Sequence, residues 1–218
     1  MLIFSSVAGS RLYGLNNAQS DTDVRGVFLA PRNQVLGIVP LVDTQELSEP
    51  DTVYHELRKF LRLAAKGNPT IIELLFTPES HWLSSHVYWN EVHQNRSLFL
   101  TEQTKQQYTG YIYSELSSIK KDAITHKPVG KRLSQIYRLL YQLDNILHLR
   151  DCNPVLEGQI LTKALELRYN ELDLDKTLFS LRAYYYDLVE YESHLPKNAP
   201  IALISNICEE IYKDWLKV

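Results

Sequence analysis

Two residue groups with ten positions between them have the types and spacing for phosphate chemistry: Gly9-Ser10 and Asp21-Thr22-Asp23. Asp21 and Asp23 are two apart at the start of an expected strand, so their side chains point to one face. Two carboxylates held side by side repel, and one of them ordinarily stays protonated. A divalent cation removes that conflict. Carboxylate oxygens suit Mg²⁺, which keeps waters and takes one or two carboxylates plus substrate phosphates, and Mn²⁺ accepts the same donors. Two such ions roughly 3.5–4 Å apart clamp the attacking and leaving oxygens of a phosphoryl displacement. Gly9-Ser10 ends the preceding strand and opens a helical turn. Glycine lets a phosphate approach the backbone closely, and the N–H groups of the turn and the Ser10 hydroxyl would face the anion. An anion cradle beside a metal-binding carboxylate pair outlines a nucleoside-triphosphate site.

The elements that must position these residues follow from the apolar pattern. Leu2 to Ala8 reads as a buried strand and Val24 to Ala30 as a second, ended by Pro31. The stretch from Ser10 to Ser20 suits a short helical turn and loop, and 31–50 reads as irregular. A third strand is expected from Asp51 to about His55. A helix follows from Glu56 to Lys66, with Leu57, Phe60, Leu61 and Ala64 as its buried stripe and Gly67 closing it. Asn68 caps the next helix, with Pro69 at its first position, and that helix runs to about Phe76. From about Thr101 long helical patterns take over: Tyr108–Ile124, with Tyr108, Ile112, Leu116, Ile119 and Ala123 on one face; Val129–Leu149; Gly158–Asn170; Asp175–Ser193; and Pro200–Leu216. The expected class is α+β. A small mixed-sheet domain (1–100) would be followed by an all-helical domain (101–218) that closes the nucleotide cleft.

The composition bounds the possibilities. The 218 residues carry 23 Lys+Arg against 26 Asp+Glu, a net charge of -3, with 44% apolar residues. That is a globular balance and argues against a strongly basic nucleic-acid coat, though not against a local basic cleft. Cys152 and Cys208 cannot build a disulfide scaffold and read as free thiols. No secretory pattern or membrane-length apolar run is present, so a soluble, cytoplasmic protein is expected. There is no HExxH, CxxC, GxSxG or GxxxxGK[ST], which argues against zinc, serine-hydrolase and P-loop chemistry.

Gly9-Ser10 followed by Asp21-x-Asp23 resembles the signature of the DNA polymerase β superfamily of nucleotidyltransferases. The wider phrases GSRLYGLNNAQSDTDVRGVFL and ELRKFLRLAAKGNPTIIELLFTP resemble the branch associated with bacterial and phage RNA-repair operons. The resemblance implies a Mg²⁺- or Mn²⁺-dependent transfer of a nucleoside monophosphate from a triphosphate to a hydroxyl acceptor, an RNA end in repair or maturation. Asp21 and Asp23 would be the first two metal ligands. The superfamily's third acidic residue lies on the next strand; Asp51 is the first choice for it and Glu56 the second. A protein hydroxyl is an alternative acceptor, and a non-catalytic nucleotide- or RNA-binding module is an alternative function. The oligomeric state is not legible.

Arg11, after the phosphate turn, and Arg25, two beyond Asp23 on the same strand face, are candidate triphosphate ligands through their planar forks. Lys131, Gln135 and Arg138 share a helix face. Lys131 and Arg138 would reach the β- and γ-phosphates, while Gln135 stands where relatives carry His. Each has a plainer reading as a surface ion pair or a solvated cation. Arg58, Lys59, Arg62 and Lys66 form either a solvated helix face or a track for an RNA backbone. Tyr13 stacks on a base or simply packs, and Glu73, set in an apolar run, pairs with one of these cations. Of Tyr184, Tyr185 and Tyr186, at least one ring must point outward.

Overall fold

A computed structural model describes residues 1–124 and 129–217, with side chains outside 120–124. Its core is a five-stranded mixed sheet in the order β3-β4-β2-β1-β5, built from β1 (Leu2–Ala8), β2 (Asp23–Phe28), β3 (Thr44–Leu47), β4 (Asp51–Glu56) and β5 (Trp82–Ser85). β1 pairs antiparallel with β2 and β5, β3 pairs antiparallel with β4, and β2 runs parallel to β4. The parallel pair sets Asp23 beside Asp51 and Phe28 beside Glu56. The fold is therefore α+β, with the sheet in the first half and long helices in the second.

The helices are α1 (Gly9–Tyr13), α2 (Arg32–Val35), α3 (Leu57–Ala65), α4 (Pro69–Leu75), α5 (Val87–Gln94), α6 (Glu102–Ile124), α7 (Gly130–Leu149), α8 (Gly158–Tyr169), α9 (Leu174–Glu190) and α10 (Ile201–Leu216). The stripe expected on α3 is buried as read, and Asn68 caps α4 through its side-chain oxygen to the Ile71 N–H. Phe4 of β1 stacks on Trp89 of α5 at 3.8 Å between ring centroids, and Phe60 of α3 meets the same indole edge-on at 5.6 Å. The aromatic cluster thus joins the sheet to the two helices that cover it. In the second half α7 packs between α6, α8 and α9. One hydrophobic core runs from Ile3 and Phe4 through α7 to Tyr212, across residue 100 without a break. Four of the five residues of the α6 stripe, Tyr108, Ile112, Leu116 and Ile119, are buried; the Ala123 side chain lies outside the described residues.

Two strands and two helices arise where no element was expected. β3 and β5 are four-residue edge strands, mostly exposed, with no alternation to read. They exist because β4 and β1 supply ladders for them, a tertiary cause that local sequence does not carry. The same holds for α2 inside the stretch read as irregular, and for α5, which is held by Trp89 and Val92.

α10 returns to the sheet. Tyr212 donates its hydroxyl proton to Glu56 Oε1 and accepts from the Ala30 N–H at 3.2 Å. Glu56 is fully buried and also accepts from the backbone of Arg58 and Lys59, so it is the cap of α3. Tyr212→Phe leaves the buried Ala30 N–H without its partner and removes one of the donors to Glu56 Oε1, which keeps Arg58, and should lower stability by about 1–3 kcal/mol in urea unfolding.

Candidate nucleotide-transfer site

The site forms where β1 ends and β2 begins. Gly9 has φ +62°, a left-handed conformation that costs glycine little. A Cβ at Gly9 would lie 1.8 Å from Asp23 Oδ2, so the carboxylate occupies the space that glycine leaves open. The first turn of α1 has no side-chain cap. A loop stabilised by Asn17 and Ser20 then carries the chain to the exposed Asp21: the Asn17 N–H donates to Ser20 Oγ at 2.8 Å, and the Gln19 N–H donates to Asn17 Oδ1 at 2.9 Å.

Asp23 and Asp51 are cross-strand neighbours with Arg25 between them. Arg25 Nη2 lies 3.1 Å from Asp51 Oδ2 and 3.8 Å from Asp23 Oδ1, and Nη1 also donates to the Val24 and Asp51 carbonyls. Burial, then a hydrogen bond with Asp51, pushes the Asp23 carboxyl above the usual carboxylate range against the pull of Arg25, and the charge of Asp21 adds to the shift. Asp51 is held below that range, chiefly by its hydrogen bonds from Arg25. The cluster therefore carries more negative charge than one guanidinium offsets. Its donors are hard oxygens, the set that Mg²⁺ and Mn²⁺ take. Among the described residues no three acidic, His or Cys side chains are already converged on a single ion position.

A cavity of about 440 Å³ opens beside this cluster. Gly9, Ser10, Asp21 and Asp23 line one wall, and Lys131 of α7 and Arg168 of α8 line the other. A negatively charged metal-type corner thus faces a cationic wall across a space of ordinary ligand size.

The structure lines one cavity with Gly9, Ser10, Asp21, Asp23 and Lys131, and sets Arg25 and Asp51 against Asp23. It does not place Arg11 among them; Arg11 donates to the carbonyls of Ser20 (2.7 Å) and Asp21 (3.1 Å) and so braces the acidic loop. Nor does it place Glu56 there. Five residues along β4 from Asp51, that side chain is about 17 Å away at strand spacing and serves as the α3 cap. Arg138 lines the cavity but is only 6% exposed. It forms a buried ion pair with Glu73, donates to Gln142 Oε1 at 3.2 Å and lies 3.8 Å over the Tyr13 ring. Tyr13 completes the network by donating to Glu73 Oε2 at 2.7 Å. Glu73 therefore pairs with α7, not with a cation of the α3 face. On that face Arg58 pairs with Glu56 and Lys59 with Asp43 at 3.0 Å. Arg168 escaped the sequence reading because only the packing of α8 against α7 carries it to the cleft.

The sequence profile of one family matches residues 1–182 of the chain. A 38.9 kDa protein from the nrdC-mobD intergenic region of Enterobacteria phage T4 is 30% identical over 156 residues, 66% of this chain and 44% of the relative. Protein YcgL of Bacillus subtilis (strain 168) is 33% identical over 95 residues, 41% of this chain and 33% of the relative. The chain thus spans less than half the length of either curated relative. No described helix is long and apolar enough to cross a membrane. The matched profile is RlaP, and by the extent of that match the chain belongs to the RNA repair pathway DNA polymerase beta family.

Proposed function

We propose that the protein is a metal-dependent nucleotidyltransferase that moves a nucleoside monophosphate from a triphosphate to a hydroxyl, with an RNA end as acceptor. The observation that carries the reading is the placement of the Asp23 carboxylate against Gly9, with Asp51 beside it and a cationic wall across the cavity. Asp21, Asp23 and Asp51 would hold the metal. Mg²⁺ or Mn²⁺, when bound, supplies charge neutralisation for the phosphates and the departing pyrophosphate. Gly9-Ser10 and Lys131 bind the triphosphate tail. The acceptor oxygen attacks the α-phosphorus, the new P–O bond forms as the bond to the bridging oxygen breaks, and pyrophosphate leaves with that electron pair. The hydroxyl proton passes to a carboxylate of the acidic cluster. Most of the rate enhancement is positioning and electrostatics.

Binding tests the site first. Mg²⁺ with a nucleoside triphosphate should raise Tm, because a ligand at about 100 times its Kd adds about 2.7 kcal/mol to stability. Asp21→Asn with Asp23→Asn should remove that rise and leave the Tm of the free protein near its original value. A rise that survives in the double variant would overturn the metal assignment. Transfer is then followed with each of four α-labelled triphosphates and a mixture of RNA and protein; label on RNA is the expected result.

One observation favours a second reading, a non-catalytic binding module: Arg25 already pairs with Asp51 and Asp23, where a metal would sit. That reading requires nucleotide binding without metal dependence and no label on any acceptor.

A further inference from the structure

Tyr13 lines the cavity described above and two others. A 130 Å³ cavity shares Gly9, Tyr13 and Asp23 with it, and a 270 Å³ cavity continues from the second, sharing Tyr13, Thr70 and Glu73. The 270 Å³ cavity also adjoins the large one at Gln135 and Arg138, and it runs on to Asn68 and Tyr111. Asp23 lines both the large cavity and the narrow one, so two approaches meet at it. A displacement at phosphorus needs that, because the attacking and leaving oxygens lie roughly in line on opposite sides.

The two approaches differ in charge. The large cavity has Lys131 and Arg168 on its wall. In the 270 Å³ cavity the one cation among the described residues is Arg138, which also lines the large cavity and is already engaged by Glu73, Gln142 and the Tyr13 ring. The remaining polar lining residues outside that network, Asn68, Thr70, Gln135 and Tyr111, are neutral. Tyr111 is 43% exposed, and its hydroxyl accepts from Gln135 Nε2 at 2.8 Å, which fixes the ring. Asn68 caps α4 with its oxygen, so its amide N–H groups remain donors. A fixed aromatic face with neutral amides suits a nucleoside: the base stacks, and the amides read its edge. Exposed Lys66 stands two residues before Asn68, in place for a phosphate further along a strand.

We propose that the 270 Å³ cavity is the acceptor subsite and takes the 3′-terminal nucleoside of single-stranded RNA, with its hydroxyl directed through the narrow cavity to Asp23. The inference rests on the nucleotidyl-transfer reading and deepens it. The lining also selects the end. With its guanidinium already engaged, the cavity accepts a 3′-hydroxyl and disfavours a 3′-phosphate.

Fluorescence anisotropy of a short 5′-labelled RNA, measured on the full chain without metal, tests this apart from catalysis. The 3′-hydroxyl RNA should bind at least tenfold more tightly than its 3′-phosphate counterpart. Tyr111→Ala should weaken binding at least tenfold, with the Mg²⁺–triphosphate rise in Tm unchanged. Asn68→Asp keeps the α4 cap, since Asp caps as well as Asn, and should weaken RNA binding by repulsion. The proposal is overturned by RNA affinity within twofold in Tyr111→Ala, by parallel loss of RNA and triphosphate binding, or by indifference to the 3′ end. An absence of RNA binding alongside an intact Tm rise overturns it too, and points the transfer reading to a protein hydroxyl. Loss of the Tm rise in the unaltered protein, or the absence of label on every acceptor, removes that reading itself.

Discussion

Gly9→Ala should reduce nucleotidyl transfer at least a hundredfold and remove the Mg²⁺–triphosphate rise in Tm. Two effects act at this residue. The first is backbone: φ of +62° disfavours any residue with a Cβ, at about 1–2 kcal/mol. The second is steric. The added methyl would meet Asp23 Oδ2 at 1.8 Å and Cγ at 2.8 Å, so the carboxylate must leave its place beside Asp51. A displacement of about 1 Å in a reacting constellation is worth about 10²-fold in rate. Gly158 separates the two effects. It has φ +54°, and a Cβ there would meet nothing within 4 Å. Gly158→Ala should therefore show a similar loss of stability with transfer unchanged. Full transfer in Gly9→Ala would mean that the position of Asp23 against the glycine is not what the chemistry needs.

The contrast between those glycines marks what the sequence could disclose. Gly9-Ser10 and Asp21-x-Asp23 were legible because their chemistry depends on residue type and short spacing, and β1, β2 and α3 were legible because apolar periodicity reports burial directly. Asp51 is the first choice for the third acid because the resemblance places one on the next strand and Asp51 opens it, but its position beside Asp23, with Arg25 between them, depends on cross-strand register, which no local pattern encodes. Arg11 beside a phosphate turn looks like a ligand, whereas the structure sets its Nε and Nη2 on loop carbonyls. Glu56 is a related case: a carboxylate at a strand-to-helix corner is equally suited to a cap. Arg138 and Glu73 lie 65 positions apart, so Arg138 reads as a phosphate ligand or a surface cation and Glu73 as the partner of a cation on the neighbouring helix, and only the packing makes them a buried pair.

That pair supplies the largest expected change in stability. Arg138→Met should destabilise the protein by about 3–5 kcal/mol, because it leaves the Glu73 carboxylate uncompensated at 5% exposure. Glu73→Gln should cost less than Arg138→Met, since the Gln amide oxygen still accepts from Arg138 and its NH2 can donate to the Tyr13 hydroxyl. Combining Glu73→Leu with Arg138→Met should recover much of the loss, since replacing both partners of a buried pair by apolar side chains of similar size is often close to neutral. The double-mutant cycle in urea then gives the coupling directly. The network joins α1 and α4 of the first half to α7 of the second, and the continuous core does the same. Both halves should therefore unfold in one transition, and weakening the pair should lower its midpoint without splitting it. Lys131→Ala is the contrasting case: exposed on the same helix, it should change stability by less than about 0.5 kcal/mol while weakening triphosphate binding. If instead Arg138→Met left stability intact and removed only nucleotide binding, the guanidinium would belong to the ligand, and the buried brace between the halves would have to be sought elsewhere.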